Sequence, residues 1–203
     1  MKTIAVALTG ASGMAYGLRL IDCLLAADCT VQLVYTQAAQ VVARQELDLA
    51  LSGNTQETAQ LLRQRFGAAE SRLLVYGREE WFAPIASGSN PPDAMVVCPC
   101  TMGTLAAIAH GLSSNLIERA ADVCLKEGRK LILAPREMPF STLHLENMLQ
   151  LSRLGAVIMA PNPGFYNRPQ TLEELVDFVV ARMLDQLGVS NTLFSRWGSK
   201  SKQ

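Results

Sequence analysis

The sequence predicts an α/β fold in which a parallel sheet lies between two helical layers. Three observations predict it. Short β-branched runs alternate with amphipathic stretches almost throughout the chain. The five clearest runs are continuously apolar, as strands buried on both faces are, instead of alternating. Four of the five run directly into unusual polar loops, the arrangement expected where ligands sit beyond the carboxyl ends of a parallel sheet.

The elements follow in order. "TIAVALT" (3–9) is predicted as the first strand, since Thr9 and Gly10 end its apolar run too early for a signal peptide. "TGASG" then leads into a helix whose Gly17, Ile21, Leu24 and Leu25 share one face. "TVQLVYT" (30–36) is the second strand. The stretch 51–92 is less regular, with a helix in "TQETAQLLRQRF", the aromatic pair Trp81 and Phe82, and the small-residue loop "ASGSNPP". "AMVVCPC" (94–100), "KLILAPR" (130–136) and "AVIMAPN" (156–162) supply three more strands. A helix over "NLIERAADVCLKEG", with Leu116, Ala120, Val123 and Cys124 on one face, ends in a glycine suited to a helix C-terminus. The chain reads as one domain over 1–203, with a tail from about 188 to 203 that extends or is partly disordered.

Composition narrows the function. The 203 residues are 49% hydrophobic and carry 18 basic and 18 acidic side chains, so no general field draws the chain to nucleic acid or an anionic membrane. No stretch is apolar over the length a bilayer requires. Five cysteines in no regular framework point to a reducing compartment, and hence the cytoplasm. "CPC" has no second Cys/His pair to complete a zinc site, so no metal is expected. Cys98 and Cys100 read as small packed hydrophobes. His110 and His144 are isolated, which argues against hydrolase chemistry.

Each polar loop admits an ordinary reading beside a functional one. "TGASG" lacks the spacing of a dinucleotide fingerprint, and no acidic residue closes the second strand. It suits a flavin or phosphate loop with Ser12 or Thr9 adding a hydroxyl, and equally a turn in which Ser12 caps the helix. "CPCTMGT" places Thr101 and Thr104 at a helix start, as anion ligands or as a cap. "LAPREMPFS" is the most informative, because Arg136 and Glu137 directly follow a buried strand. An arginine there suits a phosphate or a flavin carbonyl, and the glutamate suits proton transfer. Glu46, Arg119, Lys126 and Arg182 have plain surface explanations when taken singly; Arg182 has Asp185 within a turn.

Together these loops make the sequence similar to the UbiX-type flavin prenyltransferase family. The likeness runs from "TGASGMAYGLRL" through "SGS", "CPCTMGTL", "NLIERAADVCLKE", "LAPREMPFSTLHLENM", "LGAVIMAPNPGFYNRPQ" and "DFVVARMLDQLG" to "RWG". It implies a Rossmann-like flavoprotein, assembled as a homododecamer of trimers with its sites at subunit contacts. It implies the joining of a dimethylallyl group, from dimethylallyl monophosphate, to reduced FMN. Phosphate is released, and the prenylated FMN serves a separate decarboxylase. It further implies that Gly10, Ala11, Ser12, Thr36, Ser87, Thr101, Met102, Gly103, Thr104 and Arg136 contact FMN. Ser12 and Glu46 would pair beside the reacting flavin nitrogen, and Trp81 would stack on the prenyl chain. Lys126, Arg136, Tyr166 and Arg182 would hold the substrate phosphate, with Arg119 nearby, and Glu137 would move the proton lost on ring closure. Thr36 and Thr101 stand where the family commonly has Ser, keeping a hydroxyl, and Gln37 where Lys is frequent.

Two rival readings follow from the same residues. A flavin-dependent cysteine decarboxylase would carry an early helical His and a Pro-x-Met-Asn motif, whereas this chain has neither and reads "PREMPF". A non-enzymatic flavin carrier, or an assembly partner for a decarboxylase, would not need the cluster of Lys126, Arg136, Tyr166 and Arg182.

Overall fold

A computed structural model describes residues 1–196 and Gly198. The aliphatic runs form six strands: β1 (Thr3–Leu8), β2 (Thr30–Tyr35), β3 (Leu73–Tyr76), β4 (Ala94–Cys100), β5 (Lys130–Pro135) and β6 (Val157–Ile158). All pair in parallel, in the order β3-β2-β1-β4-β5-β6. This is the predicted α/β class, and the order is that of a Rossmann-type sheet. Among the described residues, six α-helices connect the strands, α1 (Met14–Ala26), α2 (Gln37–Leu47), α3 (Thr55–Phe66), α4 (Met102–Ala109), α5 (Leu116–Lys126) and α6 (Thr142–Arg153), and α7 (Leu172–Leu187) follows β6.

Alternation along the strands divides the core in two. Ile4, Val6 and Leu8 of β1 pack with residues of α1, α2, α3 and α7. Ala5 and Ala7 face the opposite way, toward α4, α5 and α6. The small residues on that second face let helices come close to the sheet. Gly17 does the same for α1, since a Cβ there would collide with the Cys98 carbonyl and the Leu8 side chain.

The sheet edges depart from the sequence reading. The fifth predicted strand, 156–162, is only Val157–Ile158, paired with Ile132 and Leu133. Met159 adds one more bond to Leu133, and then Pro161 and Pro163 carry the chain away because proline cannot donate to a ladder. β3, unpredicted, closes the other edge with four residues.

Beyond α7, residues 189–196 turn back onto that helix instead of leaving it. Val189 is buried, Leu193 packs on the core, and Phe194 lies 5.1 Å from Phe178 between ring centroids. The rest of the predicted tail, apart from Gly198, lies outside the described residues.

Candidate active site at the carboxyl edge of the sheet

β1 has β2 on one side and β4 on the other, so successive crossovers diverge between β1 and β4 and open a crevice at their carboxyl ends. Thr9 closes its floor. Fully buried, it donates its hydroxyl to the Pro99 carbonyl (2.8 Å) and accepts from the Thr101 N–H (2.8 Å). The sequence offered Thr9 as a ligand hydroxyl; the structure commits it to holding the β1 and β4 loops together.

The first loop is set by packing. Gly10 lies so close to α2 that a Cβ would collide with that of Ala38. Ala11 is buried and Ser12 exposed. Gly13, at φ 110°, is the N-cap of α1, a left-handed conformation that a glycine adopts without strain. Glu46, in the last turn of α2, accepts from Gly13 N–H at 3.1 Å through each carboxylate oxygen and from Met14 N–H at 2.9 Å. This corrects two expectations. Ser12 does not cap α1, and among the described residues no hydrogen bond joins it to Glu46. The carboxylate is drawn instead to the free N–H groups and positive end of the helix.

Hydroxyl-bearing helix starts line the rest of the crevice. Thr36 donates its N–H to the Leu8 carbonyl (3.0 Å) and caps α2 by accepting from Ala39 N–H (3.1 Å). Thr101 caps α4 by accepting from Thr104 N–H (3.2 Å), and its hydroxyl donates to that of Thr104 (3.0 Å). Met102 is buried, while a Cβ on Gly103 would meet nothing within 4 Å. That start of α4 therefore has room and N–H groups but no acidic side chain of its own, a donor set that suits the phosphate of FMN. Arg136 leaves β5 beside it, its N–H bonded to the Cys100 carbonyl (3.2 Å), with the side chain exposed. Glu137 follows, its carboxylate accepting from Met138 N–H (3.2 Å).

The remaining predicted residues lie elsewhere in the chain. The N–H of Leu116, at the start of α5, bonds the Arg78 carbonyl just beyond β3, near the carboxyl edge. Lys126, ten residues on, is about 15 Å further along the helix. It lies beside Gly88 and pairs with Glu127 near the amino ends of the strands. That ion pair holds the Glu127 carboxyl below the usual carboxylate range. Ser87 sits on this path, its hydroxyl 2.8 Å from that of Ser89. Arg119 donates to the Ala86 carbonyl (2.9 Å) and to Asp122 (2.8 Å). Trp81, in the stretch between β3 and β4, is exposed. Tyr166, in the loop after β6, meets Phe178 edge-on at 5.6 Å, and Arg182 is one turn beyond Phe178 on α7, bonded to Asp185 (2.7 Å). Lys126 and Arg136 are thus separated within one chain by the length of β5, about 20 Å for six residues.

No thiol competes for a role. Burial pushes Cys98 and Cys124 up to about 12 and Cys23 to about 11, and it raises Cys100 too. These groups are neutral at ordinary pH, as packed hydrophobes are.

The Flavoprotein family model matches residues 1–184. A Pseudomonas aeruginosa protein, described as flavin prenyltransferase UbiX, is 54% identical over 199 residues, 98% of this chain and 95% of that one. This chain belongs to the UbiX flavin prenyltransferase family. Two solved structures carry the likeness into three dimensions. AnUbiX (PadA1), in complex with FMN and dimethylallyl pyrophosphate, superposes with a TM-score of 0.88 at 38% identity, covering 98% of this chain and 99% of that one. A dodecameric FMN-dependent UbiX-like decarboxylase from Escherichia coli O157:H7 gives 0.85 at 40%, covering 97% and 100%. Family and fold class therefore stand as the sequence predicted them. Among the described residues no helix is long and apolar enough to cross a membrane, and no group of three or more His, Cys, Asp or Glu could hold a metal.

Proposed function

We propose that this chain, as one flavoprotein domain, joins the dimethylallyl group of dimethylallyl monophosphate to reduced FMN and releases phosphate. The prenylated FMN then passes to a partner decarboxylase. The observation that carries this reading is the open start of α4 at the β1/β4 crevice, with Thr101, Thr104 and Arg136 around it. α1 is a poorer phosphate site, because Glu46 already occupies its first N–H groups. The FMN phosphate is therefore assigned to Thr36 and to the Thr101–Thr104 turn, and the ring to Gly10, Ala11 and Ser12.

Reduced FMN supplies the nucleophile. The protein must help the allylic C–O bond break, which leaves a carbocation and a phosphate dianion. Cationic side chains offset the dianion, and aromatic surface tolerates the cation while excluding water. Arg136, Arg182 and Tyr166 suit the first task and Trp81 the second. Glu137, exposed at the mouth of the crevice, suits the removal of the proton lost when the new ring closes.

The separation of Lys126 from Arg136 supports a site completed by a second copy of the chain, in a homododecamer like that of the Escherichia coli relative. Large apolar side chains stand exposed in the single chain, among them Phe82, Met138, Leu145, Leu149 and Phe165, and an assembly of copies would cover such surface. The cytoplasm is the setting proposed, where free thiols such as the five here persist. Incubating the protein anaerobically with reduced FMN and dimethylallyl monophosphate should yield a flavin heavier by one prenyl unit, read by mass spectrometry. Recovery of unmodified FMN alone would refute the assignment.

A further inference from the structure

Asp185 is the most heavily bonded side chain on α7, and neither the flavin nor the phosphate assignment uses it. Its carboxylate accepts from Arg182 (2.7 Å), from both terminal nitrogens of Arg196 (2.7 and 3.3 Å) and from the Asn191 amide (3.2 Å). Its side chain is only 16% exposed, against 46% for Arg182 and 58% for Arg196. Burial pushes the carboxyl up. Hydrogen bonds from Arg196 and Asn191 and the charges of Arg196 and Arg182 outweigh that effect, leaving it below its ordinary range.

The geometry has a direction. Arg182 spends one terminal nitrogen on Asp185, which restrains the guanidinium from one end while its other donors can face an anion. Arg196 reaches the same carboxylate from the segment that folds back over α7, and Asn191 ties that segment to both Asp185 and the Ala181 carbonyl (3.4 Å). The segment and the fork of Arg182 therefore share one anchor.

We infer that Asp185 is a positioning residue for the prenyl phosphate. It orients Arg182 from behind and, through Arg196 and Asn191, makes the docking of residues 189–196 part of the grip on that substrate. The inference rests on the assignment of Arg182 to the substrate phosphate. Three variants separate the two: Asp185→Asn, Arg196→Gln and Arg182→Ala, each assayed with saturating reduced FMN and varied dimethylallyl monophosphate. Asp185→Asn should raise KM about tenfold, the loss of one charge-assisted hydrogen bond, with kcat and FMN affinity little changed. Arg196→Gln should raise KM about threefold, since an exposed pair contributes less. Asp185→Asn combined with Arg196→Gln should be no worse than Asp185→Asn alone, because both act through one anchor. If Arg182→Ala raises KM while Asp185→Asn leaves it unchanged or lowers it, the positioning role is overturned and the phosphate assignment stands. If Arg182→Ala itself leaves KM unchanged, the phosphate assignment is lost, and this inference with it. Should Asp185→Asn fail to fold, Arg196→Gln decides alone, and an unmoved KM overturns the inference.

Discussion

The crevice between β1 and β4 and the cationic side chains of α5 and α7 are built on opposite plans. In the crevice, short hydroxyls and backbone groups are locked by buried bonds, such as those of Thr9 to Pro99 and Thr101. On the helices, Lys126, Arg119 and Arg182 are long, partly exposed and paired with carboxylates of their own chain, Glu127, Asp122 and Asp185. The first arrangement is pre-organised within one chain, as the flavin-phosphate role proposed for it requires. The second is a set of charges at separate places, and the proposed role on one substrate phosphate requires that they be gathered. On the proposed function, rigidity would belong to the flavin half of the site and assembly to the prenyl half.

The largest effect should come from breaking the gathering step. If Lys126 acts across a subunit contact, then Lys126→Ala and Arg136→Ala are each close to inactive alone, while co-assembled they regain activity in those sites that receive both native residues. Unfolding neither variant but mixing subunits, then assaying prenylated flavin against each parent, measures this directly. No recovery from demonstrably mixed oligomers would mean that both residues serve the same chain, against the separation seen along β5.

A smaller loss, on stability instead of assembly, is expected for the rigid half. Thr9→Val keeps the shape and the bond from the Thr9 N–H to the Pro99 carbonyl (3.2 Å), but it leaves the Thr101 N–H without its buried acceptor, at about 1–3 kcal/mol. Thr9→Ser keeps the hydroxyl and should recover most of it. Chemical denaturation gives the stability and flavin titration the affinity. Both should fall in Thr9→Val, because the same bond sets the spacing of the loops after β1 and β4, where the flavin is proposed to bind. A Thr9→Val protein as stable as the native one would show the clasp to be dispensable.

This division also explains what the sequence revealed and what it withheld. The central strands were legible because burial on both faces makes Ile4–Leu8, Ala94–Cys100 and Leu131–Ala134 read as unbroken apolar runs. The edges were not: β3 has one buried residue in four, and β6 keeps two residues of a longer apolar stretch. Arg136 and Thr101 were legible by position, since each directly follows a buried strand. Glu46 was not, because its contact with Gly13 spans 33 residues and depends on how α2 lies across the start of α1. Arg182 and Asp185 looked like an ordinary pair within one helical turn. The second arginine, Arg196, is eleven residues from Asp185 and joins it only because the chain turns back.

The smallest effect tests the one place where the two plans meet, the carboxylate of Glu46 on the N-terminus of α1. Glu46→Gln keeps one oxygen, enough to accept from both Gly13 and Met14 N–H as Oε2 does, and loses the charge and the second acceptor, so the attraction between carboxylate and helix end is the salt-sensitive part of the loss. For an exposed group this amounts to about 0.3–1 kcal/mol at low ionic strength, and salt screens it. Urea unfolding of both proteins should therefore show a gap at low salt that narrows as salt is added. A gap that persists at high salt would assign the effect to geometry and not charge, because a misplaced amide is not screened. No gap at either salt would mean that the N–H groups of Gly13 and Met14 do as well with water, and α1 would then become as good a candidate as α4 for the flavin phosphate.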